Sequence, residues 1–153
     1  MRVVSRLGAG LISICLVSLC LLAACVQAIE PEAAVARTII SEHVRAFNAG
    51  DVKAMAKMQH SDIQWLSVKG NAVSVEVNGR DELTKNMTEY FKSPTKVTGT
   101  LRDWNVNVPY VSVTETASWT AKDGTQKSQS SMTVYELEDN LIRRVWYYPA
   151  VDD

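Results

Sequence analysis

Apolar and polar positions alternate along residues 96–148 in runs separated only by turn residues, the pattern of an antiparallel sheet built from hairpins. Lys122-Asp123-Gly124-Thr125 carries the strongest turn signal, because Asp-Gly accommodates the positive φ angles of a two-residue loop. Taking Asp123 and Gly124 as that loop pairs Trp119 with Ser128, Ala117 with Ser130, Glu115 with Met132 and Val113 with Val134. Side chains alternate across a strand, so these residues share one face, which the pattern predicts to be buried. Ser112, Thr114, Thr116, Ser118 and Thr120, with Gln129, Ser131, Thr133 and Tyr135, then form the solvated face. A second tight turn at Asp139-Asn140 sets Met132 opposite Tyr147, Val134 opposite Val145 and Glu136 opposite Arg143.

Glu115 breaks the apolar face, lying on the line that holds Val111, Val113, Ala117 and Trp119. A carboxylate directed inward is costly unless paired, and desolvation raises its pKa, so Glu115 marks a pocket. An edge position or a neighbouring Arg would account for it equally well.

Upstream of the sheet the period changes. Ala36, Ile39, Ile40, His43, Val44 and Phe47 draw one stripe along a helix predicted over Pro31 to Asn48. Gly50 suits the left-handed position that ends it, and Asp51 caps a short second helix running to about Gln59-His60. Asp62 to Val68 reads as a strand, turned at Lys69-Gly70-Asn71 into another carrying Val73, Val75 and Val77. A third helix follows from about Arg80 to Lys92, stopped by Ser93-Pro94. In the strand from Lys96, Val97 and Leu101 lie on one parity and Trp104, Val106 and Val108 on the other, which predicts a bulge near Arg102-Asp103 and a strongly bent sheet.

Residues 1–28 fit no part of this pattern. Arg2 and Arg6 precede an uncharged run from Leu7 to Ile29, the composition of an export signal. Leu22-Ala23-Ala24-Cys25 reads as a bacterial lipoprotein site, with cleavage before Cys25 and lipid on its sulfur. Cleavage after Ala28 and an uncleaved anchor are the other two readings; each puts residues 31–149, a single domain, outside the bacterial cytoplasm, in the cell envelope or secreted. The three cysteines, Cys15, Cys20 and Cys25, all fall in this leader, which leaves the domain no disulfide and no thiolate metal site.

A net charge of -1 with no basic cluster argues against nucleic acid. Two histidines without ligand spacing argue against a metal, and no motif implies a cofactor. His43, His60, Asp62, Asp103 and Glu115 are the groups available for acid-base work; His43 on the inward stripe and Glu115 on the sheet form the one conceivable pair. Trp65, Trp104, Trp119, Met132 and Tyr147, with Glu115, are the expected ligand-binding wall, although large aromatics also serve as plain core.

The order of elements resembles the nuclear transport factor 2-like superfamily, in its polyketide-cyclase (SnoaL)-like branch. Phe47-Asn48-Ala49-Gly50-Asp51 with Asp62-Ile63-Gln64-Trp65, then Gly79-Arg80-Asp81-Glu82-Leu83, then Leu141 to Tyr148 are the stretches that carry the resemblance. It implies an α+β cone, with three N-terminal helices packed on a strongly curved antiparallel sheet and a pocket at one end. Enzymes of the ketosteroid-isomerase type carry an acid where Ser67 stands, and cyclase-like members one where Pro149 stands; both acids are missing. The expectation is an exported domain that binds a small apolar or aromatic molecule, or a partner protein, without catalysis. An isomerase- or cyclase-like enzyme using Glu115 and His43 is the alternative. The third reading is a module that dimerises through the outer sheet face, with Tyr135, Trp146 and Tyr148 in the contact.

Overall fold

The computed structural model describes residues 15–153, and side chains from residue 32 on. The chain divides into two units, residues 1–32 and Ala33–Asp153. The basic start of the leader lies outside the described residues, and of Cys25 only helical backbone is described. Among the described residues no helix is long and apolar enough to cross a membrane.

Helix α1 spans Cys15–Ala49, so it begins well before Pro31. The leader's Leu and Ala are strong helix formers, and a single proline removes only one donor from such a run. From Ala36 onward the stripe behaves as its spacing predicts, with Ala36, Ile40, His43 and Val44 buried and Ile39 and Phe47 packed against the core. Gly50, at φ 66°, turns the chain into α2 (Val52–Lys57), where the Asp51 side chain accepts a hydrogen bond from the Ala54 amide.

The strand expected from Asp62 starts earlier. Strand β1 covers Gln59–Lys69 and turns through Gly70 into β2, Ala72–Asn78. Helix α3 (Arg80–Tyr90) then buries Leu83 and Met87. Strands β3 (Val97–Asn107), β4 (Tyr110–Thr120), β5 (Gln126–Glu138) and β6 (Leu141–Tyr147) follow, with a short β7 at Val151–Asp152. They form one curved open sheet in the order β2-β1-β6-β5-β4-β3, with β7 beside β5. The sheet is mixed rather than wholly antiparallel, because β1 and β6 run parallel. The bulge expected in β3 is present between Arg102 and Asn105, with Asp103 at φ 54°.

Two registers differ from the sequence reading. At the β4–β5 hairpin, Ala121 and Thr125 close a three-residue loop in which Gly124 takes the left-handed position, at φ 85°. One residue more in the loop slips β5 by one place, so Glu115 faces Ser131, Val113 faces Thr133 and Met132 faces Thr114. With a period of two, that slip exchanges the faces. Thr133 and Tyr135 are buried at 0% and 1% exposure, whereas Met132 is 48% exposed on the outside. The β5–β6 turn at Asp139-Asn140 has the expected two residues, both at positive φ. A bulge past Glu136 then shifts the register, pairing Tyr147 with Thr133 and Val145 with Tyr135. The two shifts cancel for β6, so Tyr147 still faces inward opposite β5.

Candidate functional site

The inner faces of β4 and β5 and the C-terminal half of α1 enclose a cavity of about 510 Å³. Val44 and Phe47 of α1, Met55 of α2 and Met87 of α3 supply much of its apolar wall. Trp65, Trp119, Tyr135 and Tyr147 reach it from the sheet and Tyr90 from α3, with Gln129, Ala117, Val97 and Thr95 completing the lining. Tyr147 stands edge-on to Trp65, ring centroids 5.6 Å apart.

Gly99 determines how closely the helix approaches. A Cβ there would sit 3.3 Å from Val44 Cγ1 and 3.8 Å from Glu115 Oε1, so any side chain at this position would require Val44 to give way slightly. Asn48 fastens the approach. Its Nδ2 donates to the Gly99 carbonyl at 2.8 Å, and its Oδ1 accepts from the Gly99 amide at 2.7 Å.

Glu115 lies on this wall, as the alternation of β4 requires. Its Oε2 accepts a 2.9 Å hydrogen bond from the Tyr135 hydroxyl. Burial raises the Glu115 pKa, opposed by Tyr135 and by Thr133. Of those two only Tyr135 has hydrogen-bond geometry; Thr133 Oγ1 is buried without a partner. Burial, with Glu115 nearby, holds the Tyr135 and Tyr147 hydroxyls well above the usual tyrosine range, so both remain protonated donors.

His43 faces the same cavity but belongs to a different pair. It is 4% exposed, and desolvation alone lowers its pKa to about 4. One ring nitrogen, Nε2, lies 2.9 Å from Gln59 Nε2, and Gln59 Oε1 is buried without a partner. As placed, the amide donates to a neutral ring that carries its proton on Nδ1. The expected His43–Glu115 pair is therefore two separate pairs on one wall, His43 with Gln59 and Glu115 with Tyr135.

Of the expected wall, Trp65, Glu115, Trp119 and Tyr147 line the cavity. Met132 does not, because of the β5 slip. Trp104 does not either: past the Asp103 bulge it packs at the core margin, with the Arg37 guanidinium 5.1 Å from its ring centre. His60 accepts from the Asp62 amide, Asp103 pairs with Arg102 in solvent, and neither Ser67 nor Pro149 reaches the cavity. Tyr135, which the sequence reading put on the outer face, is the principal partner of Glu115. Gln59, the partner of His43, opens β1 three residues ahead of the strand start that the alternation predicts at Asp62. Among the described residues, no group of three or more His, Cys, Asp or Glu side chains comes together to hold a metal.

Residues 40–145 match the SnoaL-like domain family. No curated protein matches the chain. Several solved structures share the fold. A proposed polyketide cyclase from Xanthomonas campestris pv. campestris is 18% identical, with a TM-score of 0.58 over 76% of this chain and 91% of its own. An NTF2-like protein of unknown function from Cytophaga hutchinsonii is 15% identical, with a TM-score of 0.53 over 77% and 89%. TerC, crystallised with polyporic acid, is 15% identical, with a TM-score of 0.60 over 78% and 92%.

Proposed function

The chain belongs to the SnoaL-like domain family, and from that premise we propose that it binds a small, largely apolar or aromatic molecule without transforming it. The observation that carries this reading is the cavity itself, about 510 Å³ with an apolar and aromatic wall and one carboxyl group. A fold relative crystallised with polyporic acid supports it. The domain does this work outside the cytoplasm, held to a membrane by lipid on Cys25; the basic start, the uncharged run and Leu22-Ala23-Ala24-Cys25 support that placement.

Native mass spectrometry of the full chain purified from its own host tests both halves. A carried-over ligand and a lipid-bearing N-terminus at Cys25 are the expected masses. An intact Met1 overturns the lipid anchor. Trp119→Ala is expected to abolish ligand-induced fluorescence quenching; unchanged quenching overturns the assignment of this cavity.

Catalysis is the second reading, favoured by His43 and Glu115 facing one cavity. It requires Glu115→Gln to remove turnover, for instance of an unconjugated enone followed by absorbance, while binding persists; an undiminished rate disposes of it. A second copy of the chain against the outer sheet face, where Tyr110 and Met132 are exposed, is expected to appear as a dimer in sedimentation at micromolar concentration. A monomer under those conditions removes that partner.

A further inference from the structure

The geometry points to a small organic cation, an amine or quaternary ammonium carried on an apolar or aromatic body, as the ligand class of the cavity. This rests on the cavity-binding reading above and narrows it. The cavity holds a carboxyl group with no positive partner: neither Lys nor Arg is among the residues that line it. The arginines of the sheet pair elsewhere: Arg102 with Asp103, Arg144 with Glu136 and Arg143 with Glu138. His43 is the basic group on the wall. It is buried, neutral and turned to Gln59, so it does not neutralise Glu115.

Glu115 is also only half satisfied. Tyr135 bonds Oε2, and Oε1, beside Gly99, accepts no hydrogen bond from a described residue. A carboxylate half-withdrawn from water and bonded at one oxygen keeps capacity for a positive charge brought to the other. The rest of the wall suits the same charge. Phe47, Trp65, Tyr90, Trp119 and Tyr147 supply aromatic rings around one volume, and rings attract alkylammonium groups that have shed their water. Large side chains and one acid, with no group able to hold an anion by charge, select a cation with a greasy body over a neutral or anionic molecule of the same shape.

The test pairs phenyltrimethylammonium with tert-butylbenzene, which has the same outline without the charge, titrated by tryptophan fluorescence into the full chain. The cation is expected to bind about tenfold tighter or more. Glu115→Gln, which keeps the side chain's size, is expected to erase most of that preference while leaving the neutral compound unaffected. Acidification of the wild type gives a second readout that needs no variant. The other titratable groups that line the cavity are His43 of α1, Tyr90 of α3, Tyr135 of β5 and Tyr147 of β6. His43 gains charge only near pH 4, and the tyrosines stay neutral. Above the range in which His43 gains charge, weakening of the cation alone on acidification therefore reports Glu115, whose pKa is raised, taking up its proton. Equal or better binding of tert-butylbenzene overturns the cation assignment and leaves the cavity-binding reading standing. Binding of neither compound, with the folded state verified by circular dichroism, overturns both.

Discussion

The cavity wall carries a buried base, His43, and a half-buried acid, Glu115, and they are treated in opposite ways. His43 is closed off: an amide from Gln59 meets one nitrogen, and desolvation alone keeps the ring neutral. Glu115 is held by one hydroxyl and left with an oxygen that has no hydrogen-bond partner among the described residues. The same fold thus buries a base as part of its packing and leaves an acid half-buried with remaining capacity.

The largest expected effect sharpens the His43 side of that comparison. Its folded pKa of about 4 lies below the ordinary value of 6.5, so the unfolded chain takes a proton that the folded chain refuses. Stability is full above about pH 6.5 and falls as the pH drops towards 4, by about 3 kcal/mol in all. Urea unfolding of the wild type and His43→Leu at pH 7.5 and 4.5 checks this; the variant is expected to lose most of the difference. An equal acid sensitivity in both would remove His43 from the account.

Next in size is Tyr135→Phe, which takes away the donor on Glu115 Oε2 and is expected to cost about 2 kcal/mol at pH 7.5, measured by the same unfolding curves. Glu115 itself has the opposite sign from His43. Its folded pKa is raised above 4.5, so its stabilising contribution is complete below that value and is lost as the pH climbs through the raised one. Glu115→Gln is therefore expected to be more stable than the wild type at neutral pH and to lose that advantage near pH 4. A variant that is less stable at both values would mean that the carboxylate is structurally required. The smallest effect is expected at Arg45, whose pair with Glu42 lies in solvent: Arg45→Ala should leave the urea midpoint where the wild type has it.

Much of this arrangement was legible in the chain. The α1 stripe, the left-handed Gly50, the Asp51 cap, the β3 bulge and the inward Glu115 all follow from period and turn chemistry, because each is fixed by residues close in sequence. The partner of Glu115 was not legible, for a reason lodged in β5. Gln129, Ser131 and Thr133 on one parity and Ser128 and Ser130 on the other leave its first half polar on both faces, and the apolar residues that follow divide between Met132 and Val134 on one side and Tyr135 and Leu137 on the other. A strand with no clear apolar face does not declare its register, so the loop decided it, and Asp-Gly serves a two-residue or a three-residue loop equally. The bulge beyond Glu136 is silent in sequence for the same reason.

The clasp between Asn48 and Gly99 has a consequence beyond holding the helix. Strand β3 is the last in the sheet, and an unpaired strand edge invites a strand from another molecule. At Gly99 both outward backbone groups are already taken by a side-chain amide that imitates a neighbouring peptide, so an incoming chain finds no place to start there. Asn48→Ala would then shorten the protein's life in solution through self-association as well as through lost stability, and light scattering would register the damage at concentrations where spectra of the dilute protein still look native.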